Sequence, residues 1–212
     1  MNTDDLIRTL SADAGLQRPS PTASLLVALP LALVAAAVFL VLTLGVRADL
    51  AAALGTLRFP FKFVVTLSLL ASALMVFRHA LYPVDSAHPG WPWLLLAPAV
   101  LGLGIIAELI ATPAPGWQML AQGKNALLCL TMIPAFGAIP LGLMLWVLRQ
   151  GAPLRPGLAG IGAGLVAGAI AATFYAMHCP DDSPFFLATW YIPAIGLLAA
   201  AGGVLGRVLA RW

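Results

Sequence analysis

Charge is what this chain has least of. Only 11 of its 212 residues are Lys or Arg and 8 are Asp or Glu, 9% in all, whereas a soluble domain carries about 25%. No Lys/Arg cluster could neutralise a row of phosphates, and the net charge is only +3, which excludes direct nucleic-acid binding. Cysteine is nearly absent as well. Two cysteines cannot make a disulfide framework, although they can make one bridge on an oxidising side of a membrane. The three histidines, His79, His88 and His178, are too dispersed to share one metal site. No proton relay, carboxylate trap or basic phosphate pocket is visible in the apolar segments, where ionisable groups would mark function. The sequence therefore assigns no catalytic, cofactor-binding or metal residue and implies no cofactor and no enzyme.

What the chain has in excess is apolar length. It is 61% hydrophobic, with a mean hydropathy of +0.98, and its 17 prolines and 20 glycines lie largely inside or beside the apolar runs. Crossing the hydrocarbon core takes about 20 apolar residues. Six stretches qualify, at 24–44, 60–77, 93–111, 125–148, 158–177 and 186–206. The first is too long for a signal-peptide core and has no basic segment before it. Between the runs lie RADLAAALGTLR, YPVDSAHPGWP, TPAPGWQMLAQGK, RQGAPLRPG and CPDDSP, short and rich in turn residues. The expected fold is all-α: a polytopic membrane protein, a bundle of six transmembrane helices (24–212) in the lipid bilayer behind an N-terminal tail (1–23).

Lys/Arg placement sets the expected orientation. Arg8, Arg18, Arg78, Arg149, Arg155, Arg207 and Arg211 fall on one side, against Arg47, Arg58, Lys62 and Lys124 on the other, so both termini are read as cytoplasmic. Gly160, Gly164 and Gly168 recur every fourth residue in the fifth run, and Gly202 and Gly206 in the sixth. That spacing lets helices approach closely in lipid. Pro30, Pro98, Pro134, Pro140 and Pro193 predict kinks. Lys62 and Glu108, near the ends of their runs, are read as reaching the interface. Arg47 and Asp49 are read as a surface pair of little consequence, and His178-Cys179-Pro180-Asp181-Asp182 as a solvated turn after the fifth helix.

Two features point toward function. Cys129 lies about four residues into the fourth run and Cys179 ends the fifth. With a short turn joining those helices, both thiols approach the non-cytoplasmic end at similar depth. A disulfide or redox role and a pair of ordinary buried cysteines both fit this placement. The second feature is the opening TDDLIRTLSADA. Thr3 or Asp4 can cap a helix, and Asp4 and Asp5 suit its positive end. Leu6, Ile7 and Leu10 form a narrow apolar stripe, and Gly15 and Pro19 end it. So short a helix is unstable alone in water and folds when it finds a groove. An interfacial helix would favour basic and aromatic residues instead, but an interfacial or disordered tail stays open as the rival reading.

TDDLIRTLSADA, LGVRADL after the first run, FPFKF opening the second, the single Cys129 in the fourth, AGIGAGLVAGAIAATFYAMHC and WYIPAIG together resemble the NrsF family, negative regulators of sigma F. LGVRADL and YAMHC are the most specific of these stretches. The resemblance implies a six-span inner-membrane anti-sigma factor, whose cytoplasmic tail sequesters an extracytoplasmic-function sigma factor. It maps that contact to Asp4, Asp5, Leu6, Ile7 and Leu10, and a response to oxidants or heavy metals to Cys129 and Cys179. A small transporter or channel, or a scaffold recruiting another soluble protein, are the alternative readings.

Overall fold

A computed structural model describes residues 3–5, 7, 8, 20–83 and 91–209. The described residues contain no strand. Six helices are long and apolar enough to cross a membrane: α1 (Pro21–Thr43), α2 (Arg58–Ala80), α3 (Pro92–Ala111), α4 (Ala126–Gln150), α5 (Pro156–Ala176) and α6 (Pro184–Leu209). Each covers the stretch expected from hydropathy, to within a few residues at either end. Short helices at Leu50–Leu54 and Trp117–Gln122 lie in the loops at one end of the bundle.

Local chemistry sets the helix starts. Pro21, Pro156 and Pro184 occupy the first turns of α1, α5 and α6, where the missing N–H has no helical acceptor to lose. Ser20 and Ser183 cap α1 and α6 by accepting from Ala23 N and Phe185 N, each at 3.2 Å. Gly45 ends α1 at φ +67°, where its N–H donates to Leu40 O at 2.7 Å, a left-handed helix stop that favours glycine.

α5 is the hub. Its apolar stretch is 72% buried, against 17% for peripheral α3, and it packs on α6, α4, α2 and α1. Small residues make this possible. A Cβ on Gly160 would fall 2.1 Å from Gly202 O, and one on Gly164 would fall 2.2 Å from Leu198 O. The glycine face is thus the α5–α6 seam within one chain. Pro30, Pro134 and Pro140 sit inside unbroken helices. Pro98 falls in the first turn of the regular α-helical part of α3, Leu96–Ala111. Pro193 follows a π turn at Leu187–Tyr191, which accommodates the N–H that proline cannot supply to the preceding turn.

Candidate functional site

Four charged residues, Arg47, Lys62, Asp181 and Asp182, gather at one end of the bundle, around the two cysteines. Cys129 lies in the first turn of α4 and Cys179 in the turn after α5. Both are free thiols with no exposure. Within the turn Cys179 is buried while Pro180 is exposed and His178, Asp181 and Asp182 are half-buried, so the solvated turn expected from the sequence holds at its tip but not at the thiol, which is held from several sides.

Lys62 is the centre of that hold. It was expected to reach the interface, but α2 aims it into the bundle, where it is wholly buried. Its ammonium group donates to Cys179 O at 2.8 Å and pairs with Asp182 Oδ1 at 2.6 Å. Lipid offers this cation no solvation, so the α5–α6 turn supplies it. Arg47, only 7% exposed in its side chain, pairs with Asp182 at 3.0 Å and with Asp49 at 2.7 Å. It is therefore a link into the interior rather than a surface ornament. Its guanidinium also donates to Cys179 O at 3.4 Å, and the Phe59 ring stands 5.4 Å from Arg47 and 5.5 Å from Lys62. Two cations and two carboxylates balance, which is the condition for ion pairs surviving burial.

Asp181 does a different job. Its carboxylate accepts from Lys124 N at 3.0 Å, Asn125 N at 3.0 Å and Asn125 Nδ2 at 3.1 Å. These groups begin α4, whose own cap position makes no side-chain cap bond. A carboxylate borrowed from the α5–α6 turn thus sits at the positive end of the helix carrying Cys129. Gly123, at φ +57°, admits this approach, since a Cβ there would lie 2.4 Å from the Phe186 ring and 2.9 Å from the Asp181 carboxyl carbon.

The same turn is tied to the far end of α1. His178 Nδ1 meets Gly45 O at 3.1 Å, and Arg47 N donates to Met177 O at 3.2 Å. Elsewhere, Glu108, near the end of α3, is buried and held by the half-exposed Arg58 that opens α2, at 2.5 and 3.1 Å. Among the described residues no three His, Cys, Asp or Glu side chains gather as metal ligands.

Two electrostatic consequences follow outside the spans. Arg47 holds the Asp49 carboxyl down at about 2. Burial pushes the Cys179 thiol above its ordinary value, against the pull of the Lys62 charge. A cleft of about 670 Å³ reaches the turn from outside, walled by Arg58, Lys124, Pro180, Asp181 and Asp182 among others.

Asp4, Asp5 and Ile7 are helical and exposed, while Leu6, Leu10, Gly15 and Pro19 lie outside the described residues. Ser20, where the chain enters α1, lies the length of that helix from the end that meets the Cys179 turn, about 35 Å at 1.5 Å per residue. Sequence reasoning missed Lys62, Arg47, Asp181 and Asp182 as one unit. A lysine inside an apolar run was the available signal, because such a cation needs a partner.

These features define an α-helical membrane protein of six spans, with its buried charges concentrated around a thiol-bearing turn. Comparison with known proteins gives the family. The family described as "Negative regulator of sigma F" (NrsF) matches residues 10–212. Relatives include the anti-sigma-F factor NrsF of Caulobacter vibrioides, 36% identical over 217 residues, and the probable anti-sigma-F factor NrsF of Azospira oryzae, 32% identical over 220 residues. Both alignments cover 100% of each chain. No solved structure matches. The chain belongs to the NrsF family of negative regulators of sigma F, a family of regulators rather than enzymes.

Proposed function

We propose that this protein holds an extracytoplasmic-function sigma factor at the bacterial inner membrane, with both termini cytoplasmic, and releases it when Cys129 and Cys179 meet an oxidant or a heavy metal. The contact is assigned to Asp4, Asp5, Leu6, Ile7 and Leu10. Withholding the sigma factor from RNA polymerase requires no chemistry on it, only a tail that folds into a groove on its surface.

The observation that carries this reading is the continuity from turn to tail. The Cys179 turn is bonded to Gly45 and Arg47 at one end of α1, and the tail enters α1 at Ser20 and Pro21 at the other. A change at the thiols that loosens the turn therefore acts on the helix bearing the tail. A coupling of about 1–3 kcal/mol weakens partner binding some 5–150-fold. The transporter reading is disfavoured because, among the described residues, the buried charges sit at one end and line no path along the bundle.

The test is co-purification of the full-length protein from its own membranes, with and without oxidant. A sigma factor should be retained in the reduced state and lost after oxidation. A chain with both Cys129→Ser and Cys179→Ser should retain it in either condition. Stress-dependent release that persists in this double variant sinks the sensing role, and recovery of some other soluble partner favours the scaffold reading.

A further inference from the structure

The end of the bundle opposite the thiols is built differently. Outside the tail, the described carboxylate side chains are Asp49, Glu108, Asp181 and Asp182, and all four lie at the thiol end. The other end carries Arg78, Arg149 and Arg155, each exposed and none in an ion pair among the described residues. Three helix ends meet there. Ala152 N donates to Leu81 O at 3.1 Å, and a Cβ on Gly151 would fall 2.6 Å from the same carbonyl, so the α4–α5 turn closes directly on the end of α2. Tyr82, just past α2, shares a hydrogen bond of 2.5 Å with Thr22, in the first turn of α1. Between these contacts opens a cleft of about 410 Å³, lined by Pro21, Tyr82, Arg149, Gln150 and Gly151 among others. The Arg149 guanidinium and the half-buried Gln150 amide line it without a hydrogen-bond acceptor among the described residues, and none of the lining residues is acidic. Trp146, one turn earlier on α4, is 44% exposed, and an outward tryptophan near a helix end marks the depth of the lipid headgroups.

We propose that this cleft binds the phosphate of an anionic phospholipid, with Arg149 as its main ligand and the Gln150 amide and Tyr82 hydroxyl as further donors. A guanidinium presents paired N–H groups that match phosphate oxygens, and basic recesses between spans at the membrane surface take headgroups of this kind. The cleft supplies donors and lacks acceptors, which selects an oxyanion over a cation. An acidic surface on a soluble partner would offer similar oxygens. Depth favours lipid: Arg149 still belongs to α4 and stands one turn from the outward Trp146, within reach of the headgroup layer. The site also borders Pro21, where the chain enters α1. The inference is independent of the sensing role assigned to the thiols.

The test follows the melting temperature of the full-length protein in detergent as lipid is added. Phosphatidylglycerol should raise it at lower concentration than phosphatidylcholine, whose phosphate is offset by its own cation. Arg149→Gln should increase the phosphatidylglycerol concentration needed by about tenfold, the worth of a hydrogen bond to a charged acceptor, with the lipid-free melting temperature unchanged. Arg155→Gln removes an equal charge from the same end but not from the cleft, and should leave the lipid response as it was. Should Arg149→Gln lower the lipid-free melting temperature, Arg149→Lys takes its place: it keeps the charge, loses the paired donors, and should still weaken the response. Equal potency of the two lipids overturns the proposal, as does an undiminished response in the Arg149 variants. An equal loss in Arg155→Gln overturns it too, by showing only diffuse attraction to a basic end. Inorganic phosphate matching the lipid would assign the cleft to a soluble anion instead. An intact lipid response with loss of the sigma factor on co-purification would assign Arg149 to an acidic surface of the partner.

Discussion

At the scale of single residues, the decisive side chain is Lys62. Sequence position alone left it free to reach water, because α2 begins only a few residues earlier. What could not be read is that Asp182, near the other end of the chain, would be brought to meet it. Replacing Lys62 by Met leaves Asp182 to Arg47 alone and strips one donor from Cys179 O. Unfolding in detergent should show a loss of about 3 kcal/mol, the lower end for breaking a buried pair. Asp49 makes a pH prediction. Its carboxyl is lowered from 3.8 to about 2 by the Arg47 guanidinium. A folded value below the unfolded one contributes stability above about pH 4, lost as pH falls through about 2. Asp49→Asn should therefore depress the melting temperature equally at pH 7 and pH 5, with the difference closing only below pH 4.

Among elements, the α5–α6 seam was legible and the turn beside it was not. Glycines every fourth residue on two adjacent apolar runs announce close packing, and the contacts at Gly160 and Gly164 are of that kind. Not every glycine takes part, which gives a paired test. Gly164→Ala drives a methyl into the Leu198 carbonyl and should destabilise the bundle by about 2 kcal/mol or more, as overpacking does. Gly142→Ala, in α4, meets nothing within 4 Å and should be neutral or stabilising by up to about 1 kcal/mol through helix propensity. Thermal unfolding of the two variants side by side decides it. The π turn was not readable beyond a proline, because Pro193 signals a disturbance without saying how the preceding carbonyls are satisfied.

For the molecule as a whole, hydropathy located all six helices because spanning lipid leaves little choice of length or composition. The association of the helices was less legible, since it rests on pairs distant in sequence such as Arg47–Asp182 and Arg58–Glu108. Deleting residues 1–19 should abolish co-purification of the sigma factor while leaving the Ser20 cap of α1 in place. Retained capture by the shortened chain would place the contact elsewhere.

The pairing of Lys62 with Asp182 also constrains biogenesis. During synthesis α2 reaches the translocon carrying a cation whose counter-ion has not yet been made, and which lipid cannot neutralise. The segment bearing Lys62 can settle at its final depth only after the last hairpin, α5–α6, has been delivered. Chains released before that hairpin emerges should remain poorly inserted and be cleared by membrane proteases, which pulse-labelling of nested C-terminal truncations would reveal as a step in lifetime once residue 182 is included.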